Sequence, residues 1–208
     1  MSPDTIGDVR EVFRPGFGRV LCIAIGVICV VAMVALVATD GLAAGWRGGP
    51  WLALVAGSCW ALFWRPEVVV DDGGVRLVNV FRTIDLPWPS IVAVDTKWAL
   101  TLITAYGRYT GWAAPAPGMH EAVRATSRDA EHLPASAWSS EGIRPGDLPS
   151  SPSGSAALLI RRRWEQLRDA GHLDDPRLEH DAPPVTWHRN TIASGVGLAV
   201  LCVIGLLV

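Results

Sequence analysis

Membrane α-helical anchors plus one small β-rich domain are the fold class this sequence predicts, on three observations. Uncharged apolar runs stand at Val20–Thr39 and Thr191–Val208, with a shorter one at Pro50–Trp64. Between them, residues 65–117 break into short stretches of Val, Ile, Thr and aromatics. Asp-Gly, Pro and Gly punctuate these stretches, which is the pattern of a β meander. A helical period then returns at Ser155–Gly171.

Bulk composition agrees with an anchored domain. Half of the 208 residues are apolar and only 18% are charged, proportions unusual for a soluble protein. The net charge of −2 gives no general pull toward nucleic acid or anionic lipid, and nucleic acid is not an expected partner. Cys22, Cys29, Cys59 and Cys202 all fall inside apolar runs, without metal-ligand spacing to another Cys or to His. They read as small apolar fillers.

In chain order, residues 1–19 are an N-terminal tail carrying Arg10, Arg14 and Arg19. Residues 20–39 form the first predicted transmembrane helix; at about 1.5 Å per residue they reach roughly 30 Å, the thickness of a bilayer core. That is longer than the apolar core of a cleaved signal peptide. Residues 40–49, rich in glycine, read as an external loop. Residues 50–64 are short for a second span, but Trp51 at one end, Trp60 and Trp64 at the other, and Arg65 beyond them favour one. The third span is 191–208. Arginines flank the domain-side ends of all three runs, and only Arg47 stands in the first loop. The expected topology is a multi-pass protein of the cell membrane, N-terminus and central domain cytoplasmic, C-terminus external. If residues 50–64 did not span, the domain would move outside.

Within the central segment, Glu67–Val70 and Val75–Phe81 flank Asp71-Asp72-Gly73-Gly74, a hairpin signal. Further strands are expected at Thr83–Leu86, Ile91–Lys97, Leu100–Thr104 and Arg108–Ala113, six in all. Residues 118–154 read as a mobile linker or long loop, with a short helix conceivable at Met119–Thr126. Ala156, Leu159, Ile160, Trp164, Leu167 and Ala170 share one face of an amphipathic helix over 155–171, suited to cover an open sheet. Residues 172–190 form an acidic, proline-bearing linker.

Several of these positions carry a resemblance. Arg65-Pro66 leaving a membrane helix, the turn at Asp71–Gly73, Arg76 through Asn79 with Arg82-Thr83, Leu86-Pro87-Trp88, Trp98-Ala99-Leu100, Gly107-Arg108 and Trp112–Pro115 resemble the bacterial PH-like domain of small membrane proteins, the low-molecular-weight antigen type. Arg163-Trp164-Glu165 and Ala170–Leu173 look like the region that follows it. The resemblance implies a PH-like half-open barrel of six to seven strands capped by one C-terminal helix. It carries no catalytic motif.

Candidate contacts are few. PH domains of other lineages hold phosphoinositides through basic residues near the first hairpin, but here that turn is acidic, and residues 65–190 hold 14 basic against 16 acidic side chains. Arg161, Arg162 and Arg163 form the one basic run and are the candidate lipid or partner contact, against the plainer reading of a solvated helix face. Trp88, Trp98 and Trp112 are expected in the β-domain core. His172, His180 and His188 lack metal-site spacing, and no nucleophile elbow, phosphate loop or zinc-protease motif occurs. No catalytic, cofactor or metal residue is therefore expected. Ala53/Gly57 and Ala193/Gly197 permit close helix packing, within one chain or in a homo-oligomer. The function expected is non-enzymatic: a cytoplasmic PH-like domain for protein–protein interaction or scaffolding. The alternative is a membrane-surface accessory or sensor engaging lipid through Arg161–Arg163.

Overall fold

Strand alternation in residues 65–117 yields the six expected strands, and two short ones from outside that segment complete the sheets. The structure is a computed structural model and describes residues 10–117, 145–173, 178 and 180–207. The strands are β1 (Glu11–Phe13), β2 (Glu67–Val70), β3 (Gly74–Val78), β4 (Arg82–Pro87), β5 (Ile91–Asp95), β6 (Ala99–Thr104), β7 (Gly107–Pro115) and β8 (Val185–Trp187). The helices are α1 (Gly16–Cys59, prolonged by a π turn at Trp60–Trp64), α2 (Pro152–Asp169) and α3 (Arg189–Leu207). The chain divides into a β unit and a helical unit.

In the β unit, a five-stranded sheet runs β1-β2-β3-β4-β8 and a three-stranded sheet runs β5-β6-β7. On β3 and β4, Val75, Leu77, Ile84 and Leu86 are buried, while Arg76 and Asp85 face each other as cross-strand partners on the outer surface. Their 2.5 Å ion pair holds the Arg76 guanidinium above its ordinary pKa. Strand β7 packs on β2 and β3, and α2 closes over β5, β6 and β7. The resulting core joins Val68, Leu77, Ile84, Leu86, Leu100 and Leu102 to Ala156, Ala157 and Ile160 of the helix. Each fully buried large aliphatic side chain contributes about 1.5–3 kcal/mol.

Two segments expected as a tail and a linker supply edge strands. Glu11, Val12 and Phe13 pair antiparallel with Val70, Val69 and Val68, so the free edge of β2 is covered by chain that precedes the first apolar helix. Strand β8 covers β4 from the other side. Among the described residues the sheets hold eight strands, the six expected in the central segment and these two at the edges. Pairing hides edges that would otherwise invite other chains. The possible helix at 119–126, and most of the expected 118–154 linker, lie outside the described residues.

The helical unit turns on a single residue. Along α1 only Gly41 leaves helical geometry (φ 79°, ψ −177°), a backbone that glycine adopts without steric cost. The chain folds back there: Cys22 Sγ lies 3.3 Å from Cys59 Sγ across 37 residues, which unbroken helix would spread over about 55 Å. A Cβ on Gly45 would come within 2.6 Å of Val37, and one on Gly48 would overlap Leu36, so these glycines let the arms meet. The loop expected at 40–49 is thus a one-residue break. The second arm covers residues 42–64, about 35 Å at helical rise, rather than the marginal 50–64. Helix α3 runs antiparallel to that arm. Arg65 donates to the Thr191 hydroxyl at one end, Leu198 sits at Gly57, and Gly205 lies beside Arg47 at the other.

Apolar side chains around these helices face outward, among them Val20, Ile23, Val27, Val30 and Val34 on the first arm and Val196, Val200 and Val203 on α3. Residues 16–64 and 189–207 are each long and apolar enough to cross a membrane. Outward-facing aliphatic surface on this scale points to membrane association.

Candidate interaction surface

Helix α2 organises the surface of the β unit. Ser151 caps its N-terminus, its hydroxyl accepting from Gly154 N at 3.0 Å, and Pro152 occupies the first turn, where a missing N–H costs nothing. The helix begins three residues before the predicted start at Ser155 because its cap is Ser151. Ala156, Ala157 and Ile160 are buried by the strands, and Leu159, Trp164 and Leu167 pack against that core.

The three candidate arginines separate into different roles. Arg161 is buried. Its Nη1 donates to Asp147 Oδ1 at 2.7 Å and its Nη2 to the Val94 carbonyl at 3.0 Å, while the Thr96 hydroxyl donates to the same Asp147 oxygen at 2.7 Å. This cluster ties the 3-10 turn Pro145–Asp147, strand β5 and the helix into one joint. Arg163 pairs with Asp72 of the first hairpin, so one carboxylate of that acidic turn serves to dock the helix. Arg162 alone is exposed. The run is one solvated position between two structural ones.

The three tryptophans also divide. Trp88 is 3% exposed, and its Nε1 donates to the Asp71 carbonyl at 2.9 Å. Trp98 and Trp112 are 82% and 54% exposed, which corrects their expected place in the core. Trp98 lies in the turn between β5 and β6, beneath Lys97. Trp112 falls on the outward parity of β7, between the buried Gly111 and Ala113.

Strand β5 is an edge of the three-stranded sheet and lies alongside α2. A cavity of about 200 Å³ opens between them, lined by Ile91, Val92, Ala93, Val94, Arg161 and Trp164. Two carbonyls of β5 already accept bonds from the helix, Ile91 O from Trp164 Nε1 at 3.3 Å and Val94 O from Arg161. Val92 is exposed beside them. A guest segment would find apolar contact with Val92 and Trp164 but no free main-chain acceptor at those two positions. Sequence periodicity gives no sign of this groove, because it depends on which edge the helix covers.

With this geometry in hand, residues 65–147 match the family model described as Bacterial PH domain. The chain carries a bacterial PH domain. Among curated proteins and among solved structures, nothing matches the chain. The matched segment takes in β2 to β7 and ends on Asp147, the partner of Arg161. Strands β1 and β8 and the closing helix of the PH domain lie beyond it.

Proposed function

We propose that this is a non-enzymatic, multi-pass membrane protein that holds its PH domain at the cytoplasmic face of the cell membrane, where the β5–α2 groove docks another protein. The observation that carries the docking is the apolar groove beside β5. Both edge strands of the five-stranded sheet come from the chain's own flanking segments, whereas β5 keeps an exposed, apolar Val92 next to Trp164. Apolar anchors in a groove between strand and helix are a recurring mode of peptide recognition.

Three crossings and the cytoplasmic orientation are supported by the helical unit. Gly41 divides α1 into two arms, and α3 lies antiparallel to the second. Arg19, Arg65 and Arg189 lie at one end of the arms and α3, with Arg47 at the opposite end. Basic residues flank the cytoplasmic ends of membrane helices. The lipid-sensing alternative through Arg161–Arg163 is less well supported, since two of those three side chains are engaged inside the PH domain.

A photo-crosslinking residue at Val92 of the full chain in native membranes tests the docking, with the same residue at exposed Asp169 as control. A discrete protein adduct from Val92, lost when Trp164→Ala is added, is expected. Equal labelling from both positions refutes it.

A further inference from the structure

We propose that the turn between β3 and β4, together with Trp187, is a second membrane contact that seats on anionic lipid headgroups. This inference rests on the membrane reading above and adds to it a site that neither apolar run contains.

Residues 80–82 cluster with the helical unit, although the strands on either side of the turn belong to the β unit. The turn is fixed to the start of α3. His188 N donates to the Phe81 carbonyl at 2.9 Å, and His188 Nδ1 lies 3.2 Å from the Val80 carbonyl. At its tip Phe81 is 55% exposed, and Trp187 beside it is 56% exposed. The Arg82 guanidinium stands 5.9 Å above the Trp187 ring. A hairpin tip in water is ordinarily built from Gly, Asn, Asp or Ser; an exposed Phe there, one residue before an Arg, suits a boundary between water and lipid.

The same chemistry recurs at that end of the helical unit. Arg19 lies over Trp64 at 5.3 Å and Arg65 over Trp60 at 5.7 Å, and Arg65 is bonded to Thr191 in the first turn of α3. Arg19 and Arg65 thus pair with tryptophans at the ends of the two arms, and Arg82–Trp187 is a third such pair, just before the start of α3. Tryptophan rings favour the headgroup level of a bilayer, and arginines reach from it to lipid phosphates. Two of the pairs sit on helices. The third, Arg82–Trp187, joins the turn before β4 to the residue that precedes His188 and α3.

The test uses the full chain with its native cysteines replaced and one label site at a time: Phe81→Cys, Asp72→Cys on the turn at the other end of β3, or Val34→Cys within the first arm. Each carries a polarity-sensitive fluorophore and is reconstituted into phosphatidylcholine–phosphatidylglycerol vesicles containing lipids brominated near the headgroup. Quenching at position 81 about threefold stronger than at 72 is expected from an interfacial site. It should fall in phosphatidylcholine alone and with Arg82→Ala. Quenching at 81 no stronger than at 72, with position 34 in lipid, overturns the proposal while leaving the membrane reading intact. A water-exposed position 34 overturns both.

Discussion

Arg161→Met removes the charge from the joint between helix, turn and strand while keeping much of the side chain's length. Among the described residues Asp147 would retain only the Thr96 hydroxyl, and the Val94 carbonyl would lose the Arg161 donor. Both members of the ion pair are 6% exposed, so solvent cannot replace what is lost. Removing one partner of a buried pair costs about 3–5 kcal/mol. Arg162→Met, one position along on the exposed face, should stay within about 0.5 kcal/mol of the parent. For a unit of this size each kcal/mol moves the melting midpoint by about 4–8 °C, so Arg161→Met should lower it by at least about 12 °C. Near-ultraviolet circular dichroism of the full chain in detergent reads the loss of ordered tryptophan packing in the PH domain. The double variant Asp147→Leu/Arg161→Met should melt above either single one, because no unpaired charge is left behind. Equal midpoints for the 161 and 162 variants, or a double variant as unstable as the sum of the singles, would refute the reasoning.

The remaining predictions concern the corrected elements. Trp88→Ala should cost about 3–5 kcal/mol and Trp98→Ala no more than about 0.5 kcal/mol, read by the same melting curves. Phe13→Ala removes the one side chain of β1 that packs on the core and should lower PH-domain stability by about 1–2 kcal/mol, although Phe13 precedes the first apolar helix in sequence. With Cys29 and Cys202 replaced, mild oxidation should join Cys22 to Cys59 and protect both thiols from maleimide after denaturation. Adding Gly48→Leu, which overlaps Leu36, should reduce that protection, and full protection with Leu at 48 would count against close packing of the arms.

Much of the β unit is legible in the sequence because its strands obey a period of two and its turns carry Asp-Gly or Pro. Leu77, Ile84, Leu86, Leu100 and Leu102 sit where alternation puts them. Strands β1 and β8 are not legible: each has three residues, too few to show a period, and each forms only because a partner edge from elsewhere awaits it. Arg161 resembles its neighbours in a basic run, and its partner Asp147 is 14 residues earlier, across a turn with no helical relation to it. Residue type places Trp98 and Trp112 inside, whereas turn position and strand parity decide their exposure. The glycines of residues 41–49 announce a break, but only packing against Val37 and Leu36 reveals that Gly45 and Gly48 are contact sites within a helix and that Gly41 alone is the turn.

Sidedness of two positions tests most directly the proposed topology, in which an apolar helical hairpin and a third helix hold the PH domain on one side of the membrane. In a chain stripped of native cysteines, Leu42→Cys beside the Gly41 turn and Asp72→Cys in the first hairpin of the PH domain are labelled in intact cells with a membrane-impermeant maleimide. The account predicts that Leu42→Cys reacts from outside and Asp72→Cys only after the membrane is opened. Reaction of both from the same side would contradict it.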